Sequence, residues 1–230
     1  MNVLHDLVKD APLPRLIKIH QKFDAPEIAD VPQTLRVELA KTGVGDRIKP
    51  GMSIAIAVGS RGVAEIPTLA RVVVEEVKKR GGKPFVVPAM GSHGGATAEG
   101  QKMMLASLGV TEETVGCPIV SSMEVVEVGK LDNGLAVLID KNAYEADGII
   151  VINRVKPHTC YRGLCESGMA KMITIGLGKQ KGADSCHAYS FKYMADFVVE
   201  MAKIKIARTK ILFGVGTVEN AYDKITKIVA

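Results

Sequence analysis

Three histidines sit in turns of the kind that display side chains to a ligand. His93 lies in Gly91-Ser92-His93-Gly94-Gly95, His158 in Lys156-Pro157-His158-Thr159, and His187 just beyond the glycine-punctuated stretch Gly163 to Gly182. An imidazole titrates near neutrality, so it can shuttle a proton or ligate a transition metal. Arg61 stands in a fourth turn, Gly59-Ser60-Arg61-Gly62. Glycine there lets backbone approach a ligand closely, a following helix aims free N–H groups at it, and the guanidinium fork suits a carboxylate or phosphate. The turn carries neither GxGxxG nor a GK[ST] ending, so it reads as a small-anion site or as a tight turn with an exposed arginine. Lys171 is flanked by Met169, Ala170, Met172 and Ile173. Apolar surroundings depress an amine pKa and make it nucleophilic; the other reading is a helix turn with Lys171 snorkelling to water. Lys179 and Lys181 lie in a more polar stretch and read as surface or anion-contact residues, and Glu166 could pair with any of the three lysines. Cys117, Cys160, Cys165 and Cys186 form no CxxC pair, which argues for reduced, partly buried thiols rather than a zinc or redox centre.

The elements that must position these groups follow from hydrophobic pattern. Ser53 to Val58 is apolar and strand-length. Ile66, Leu69, Ala70, Val73 and Val77 then recur at helical spacing from about Glu65 to Arg80. Pro67 suits the first turn of that helix and Gly81-Gly82 its end. Pro84 to Met90 is a second strand, completing a strand–turn–helix–strand unit typical of a parallel crossover. Thr97 caps a further helix to about Leu108. Shorter strands follow near Pro118 to Ser121, Met123 to Val128 and Leu135 to Asp140, with a hairpin-type turn at Asn133-Gly134. Gly148 to Val155 is a continuous apolar run, as a central parallel strand covered on both faces requires. A helix spans about Ala188 to Lys203, and Lys210 to Val215 is a last strand. The stretch to about Gly51 reads as strands and loops packed on an edge. The predicted fold is α/β: a mainly parallel, Rossmann-like sheet with helices on both faces and a small β excursion. Ligands bind outside the carboxyl ends of strands in such sheets, which is where Arg61, His93 and His158 fall.

Composition narrows the function. The chain has 230 residues, 47% apolar, with net charge +5. That length fits one large domain or two small ones, and that apolar content excludes general disorder. No apolar run approaches the roughly 18–20 residues of a membrane span. Asp6, Lys9 and Asp10 interrupt any signal peptide, so the expected location is cytoplasmic. Basic residues are scattered, with small clusters at Lys78 to Arg80 and Lys203 to Lys210 that read as solvated helix faces. There is no Trp, and only 5 Tyr and 5 Phe. Nucleic-acid binding favours dense basic patches interleaved with aromatics, so that partner is not expected. No closing element is visible in Lys224 to Ala230, which suggests part of a longer protein.

The order of GSRG, GSHGGAT, NRVKPHT, SGMAKMITIGLGK and a further histidine, across Ser53 to Asn220, resembles the lactate racemase family. More broadly it is similar to nickel-pincer-dependent 2-hydroxyacid racemases and epimerases. The resemblance implies a nickel ion held by a pincer nucleotide derived from nicotinic acid, made by dedicated cofactor-synthesis proteins. Lys171 matches the lysine that tethers this cofactor. His187, 16 residues later, matches the nickel ligand. His93 and His158 match the pair of alternating general bases and acids, and Arg61, with Ser60 and Gly59 beside it, the anion-holding turn. The implied chemistry moves the substrate Cα hydride to the cofactor and back while a histidine handles the hydroxyl proton. It also implies that residues 1–230 form the N-terminal domain of a two-domain enzyme, with 1–51 an edge segment and 52–230 the catalytic-type core. Val58 stands where the lactate enzymes carry an acid and Gly94 where they carry an arginine, which favours a 2-hydroxyacid other than lactate. The competing reading is a non-catalytic small-anion or nucleotide-binding module, which has no use for Lys171. A dinucleotide-dependent dehydrogenase is disfavoured, because no GxGxxG follows the first strand.

Overall fold

A computed structural model describes residues 3–12, 14–41 and 43–230. Helix α1 (Val3–Val8) and an extended stretch lead to α2 (Val31–Leu39), which Asp30 caps by accepting from the Gln33 N–H. Strand β1 (Ser53–Val58), helix α3 (Ile66–Lys79) and strand β2 (Lys83–Pro88) form the expected crossover unit. Next come α4 (Ala98–Ser107), α5 (Glu112–Val115), β3 (Val125–Lys130), β4 (Ala136–Asp140), α6 (Lys141–Glu145) and β5 (Gly148–Arg154). The one-turn helix α7 (Met169–Lys171) runs into a π-helical turn, Met172–Gly176. It is followed by α8 (Lys179–His187), α9 (Ser190–Arg208), β6 (Ile211–Glu219) and β7 (Ile225–Val229).

The main sheet has the order β2-β1-β5-β6-β7. Its first four strands are parallel, and β7 returns antiparallel to β6. Alternation along the strands builds a core on each face. Ile54, Ile56 and Val58 of β1 join Ile150 and Ile152 of β5 under α2, α3 and α4. Ala55 and Ala57 join Ile149 and Val151 under α9, the β3–β4 hairpin and the π turn. On α3, the apolar stripe read from sequence is buried and Pro67 lies in the first turn. The Thr97 hydroxyl accepts from the Gly100 N–H at 3.0 Å, as an N-cap should.

Three expectations need correction. The N-terminal region supplies no strand among its described residues; α2 instead packs on α3 and β7, because Val31, Leu35 and Leu39 make one buried helical stripe. Pro118 to Ser121 is not a strand of the sheet. It is an extended segment that bridges Val86 at Ile119, with the Val86 N–H donating to Pro118 O and the Val120 N–H to Val86 O. Lys224 to Ala230 does contain a closing element, β7, paired with β6 through the turn at Asn220. The Gly163 to Gly182 stretch is largely helical. Its glycines serve close approach instead: a Cβ on Gly176 would lie 2.7 Å from Ala89 O and one on Gly178 2.5 Å from Thr174 O.

Candidate active site

The sheet order places the ends of β2, β1 and β5 side by side, and the first connection leaves β1 toward β2 while β5 flanks its other edge. A crevice opens at such a reversal. Here it is a cleft of about 500 Å³, walled by the turns after these three strands, the π turn, and the facing ends of α8 and α9. Gly59, Ser60, Arg61, His93, His158, Lys171 and His187 all line it.

His93 Nδ1 lies 2.6 Å from Ser60 Oγ, and its Nε2 lies 3.3 Å from Arg61 Nη2. A guanidinium only donates, so Nε2 accepts and the ring proton, assigned from this network, sits on Nδ1 facing Ser60. Burial, then the charges of Arg61 and Lys171, hold this imidazole below the usual histidine range. The ring is therefore neutral at pH 7, with the Nε2 lone pair directed at the arginine.

His158 has the opposite tautomer. Its Nδ1 accepts the Cys160 N–H at 3.1 Å, which leaves the proton on Nε2. That Nε2 is 2.5 Å from Lys171 Nζ. The two basic nitrogens share one hydrogen bond, so protonating either one disfavours protonating the other. Burial, then the charges of Arg61 and Lys156, push the Lys171 amine below its ordinary value. Burial, then Lys171 and Arg61, lower His158. The ring stacks on Tyr161 at 4.2 Å, whose hydroxyl donates to Glu166 O at 2.6 Å. The Glu166 carboxylate accepts the His158 backbone N–H at 2.7 Å, so it shapes this loop and pairs with Arg162 rather than with a lysine.

His187, on the exposed rim at the end of α8, stands edge-on to Phe191 at 6.1 Å. Burial of its inner edge, then the Lys171 charge, lower its pKa against the pull of Asp184. Lys181 is exposed as expected, but Lys179 is not a surface residue. It is fully buried, 3.1 Å from Asp140 Oδ2, and it donates to Pro88 O at 2.5 Å and Gln101 Oε1 at 3.0 Å. Lys205, placed on a solvated face by its charge, is also buried, donating to the carbonyls of Ile173 and Thr174. Its position extends the stripe of Val198 and Met201 at helical spacing, a signal the charge concealed.

The cleft is basic. Arg61, Lys156 and Lys171 line it, while Arg154 is matched by the buried Glu219 and by Asp223. Among the described residues no three His, Cys, Asp or Glu side chains gather as a metal cage.

These features define an α/β protein whose strand-end cleft suits a small anion and offers two neutral imidazoles and an amine. The chain belongs to the lactate racemase N-terminal domain family, whose family model matches residues 10–196. Among solved structures, it is similar to the lactate racemase apoprotein from Thermoanaerobacterium thermosaccharolyticum, with TM-score 0.66 and 16% identity. That match covers 90% of this chain and 55% of the other, so the chain spans about half the length of that racemase. No curated protein matches it. No helix of the described residues is long and apolar enough to cross a membrane.

Proposed function

We propose that this chain is the base- and cofactor-bearing N-terminal domain of a two-domain 2-hydroxyacid racemase or epimerase. The contact between His158 and Lys171 carries the reading: a half-buried lysine whose amine is depressed, in an anion-attracting cleft, is a nucleophile in waiting. The donor set fits a nickel-pincer nucleotide, with Lys171 as the covalent tether and His187 as one metal ligand beside those the nucleotide carries. When bound, that group would supply a hydride acceptor for the substrate Cα–H.

The remaining work falls to the protein. A substrate carboxylate recruits the Arg61 fork, worth more as a bidentate pair than the present bond to His93. Drawing Arg61 away frees the His93 Nε2 lone pair, which then accepts the substrate hydroxyl proton. His158 presents an N–H at its cleft-facing nitrogen, so an oxygen on that side finds a donor rather than a base. The two rings thus offer complementary proton states to an alcohol that can point either way. Ser60 holds the His93 tautomer, and Tyr161 and Glu166 hold the His158 loop.

The test is the intact mass and nickel content of the chain made in a host that synthesises the pincer cofactor, beside Lys171→Ala. A mass increment with stoichiometric nickel, both lost in the variant, supports the proposal. Absence of both, in this chain and in a longer two-domain form, would leave the small-anion-binding module.

A further inference from the structure

Behind the cleft lies a buried polar chain that no part of the reaction uses. Gln101, on α4, is wholly buried. Its amide nitrogen donates to Gly91 O at 2.8 Å and to His93 O at 3.2 Å, the two carbonyls that frame the His93 turn. Its Oε1 accepts from Lys179 Nζ at 3.0 Å, and Lys179 is neutralised by Asp140 at the end of β4. Asp140 is committed in turn, its Oδ1 accepting the Ala143 N–H at 2.8 Å. Gln101 therefore has one orientation available. If the Gln101 amide flipped, its nitrogen would face the Lys179 ammonium and its oxygen two carbonyls.

The chain also spans the site. Lys179 begins α8, whose other end carries His187, and it follows the π turn that begins beside Lys171. The His93 turn meets the same π turn through the Gly91 N–H to Gly176 O bond at 3.2 Å. Gln101 is thus a side-chain strut between the base-bearing turn and the lysine-bearing segment. We infer that Gln101, oriented by Lys179, is a positioning residue that sets the His93 ring against Ser60 and Arg61 for proton transfer. This rests on the proposed racemase reading only for its catalytic consequence; the positioning itself is observable without turnover.

Two variants test it in the full chain. Gln101→Glu keeps the volume and the acceptor for Lys179 but turns a carboxylate oxygen toward the Gly91 and His93 carbonyls. Gln101→Leu removes both functions. Nitrogen NMR of the His93 ring, assigned by its loss in His93→Gln, reads the tautomer and titration directly. The expected result is loss of the Nδ1–H form and an upward move of the His93 titration in both variants, with the His158 ring unchanged. In the assembled racemase the same variants should lose roughly 100-fold in turnover, the scale of an ångström-level misplacement. A His93 ring that keeps its tautomer and titration in either folded variant overturns the inference. Altered ring signals with full turnover would uphold the positioning and instead overturn the role of His93 in the reaction.

Discussion

Lys205 allows the burial argument to be worked to a number. It is 1% exposed, its Nζ meets the carbonyls of Ile173 and Thr174, and among the described residues no carboxylate pairs with it. Burial pushes its amine down to about 7. In the unfolded chain the same amine titrates near 10.5, so across neutral and mildly alkaline pH the unfolded state holds a proton that the folded state has shed. Stability then rises with pH, from near 7 until the unfolded amine also titrates. Integrating that difference from about pH 6 to about pH 8.5 gives roughly 2 kcal/mol. Lys205→Met removes it. Urea titrations at several pH values should show the wild-type midpoint climbing relative to the variant by about 1 M over this window. Other titrating groups, such as Lys171 and the cleft histidines, are common to both proteins and cancel in the difference. The neighbouring Cys186 thiol, already pushed to about 11, moves further up and out of range when the cation is lost. Parallel midpoints, differing by less than roughly 0.2 M in their pH trend, would refute the claim that this lysine sheds its proton in the folded state.

Trace acylation near neutral pH should label Lys171 ahead of the exposed Lys181, because its amine is depressed while Lys179 and Lys205 are sealed; peptide mass spectrometry showing no such preference would contradict the depression of that amine. Arg61→Gln should weaken binding of a 2-hydroxyacid anion, measured by calorimetry, and raise the His93 titration as the adjacent positive charge is lost, with unchanged titration counting against the Arg61–His93 contact. Asp140→Asn should cost about 3–5 kcal/mol in chemical denaturation, since it strands the buried Lys179 cation; a cost below about 1 kcal/mol would mean the pair is not closed. Gly94→Ala should destabilise by at least about 1 kcal/mol in thermal melts. Gly94 sits at φ +64°, and its Cβ would lie 2.5 Å from the Gly100 carbonyl carbon, so an unaltered melting point would overturn the close-packed turn.

Local patterns were legible where one force dominates. The β1–α3–β2 unit, the Thr97 cap and the central β5 run follow from periodicity and turn chemistry, and their carboxyl ends located Arg61, His93 and His158 in advance. The N-terminal region misled because its prolines suggest extended chain, whereas the stripe Val31, Leu35, Leu39 needs only nine residues of helix. β7 leaves no continuous apolar run, because Thr226 and Lys227 stand between its two buried residues, Ile225 and Ile228. Lys179 and Lys205 were read by charge alone. Their burial depends on carbonyls and a carboxylate delivered by segments distant in sequence, Pro88, Gln101 and Asp140 for the first and the π turn for the second. Glu166 was visible as a partner but not its object, since a backbone N–H leaves no trace in residue type. The departure at Gly94 has a physical reason as well. That turn folds back on α4 so closely that no side chain fits there, whatever the substrate.

The extended segment at Pro118 to Ser121 bears on how the protein behaves in a crowded solution. β2 is the outer parallel strand, and its free rim is a template on which another chain could add a strand. Pro84 and Pro88 already delete two donors from it, and the segment occupies both bonding groups of Val86 in between. What passes for a failed strand is a stopper: it ends the sheet without extending it, and leaves a growing fibril no purchase on that side.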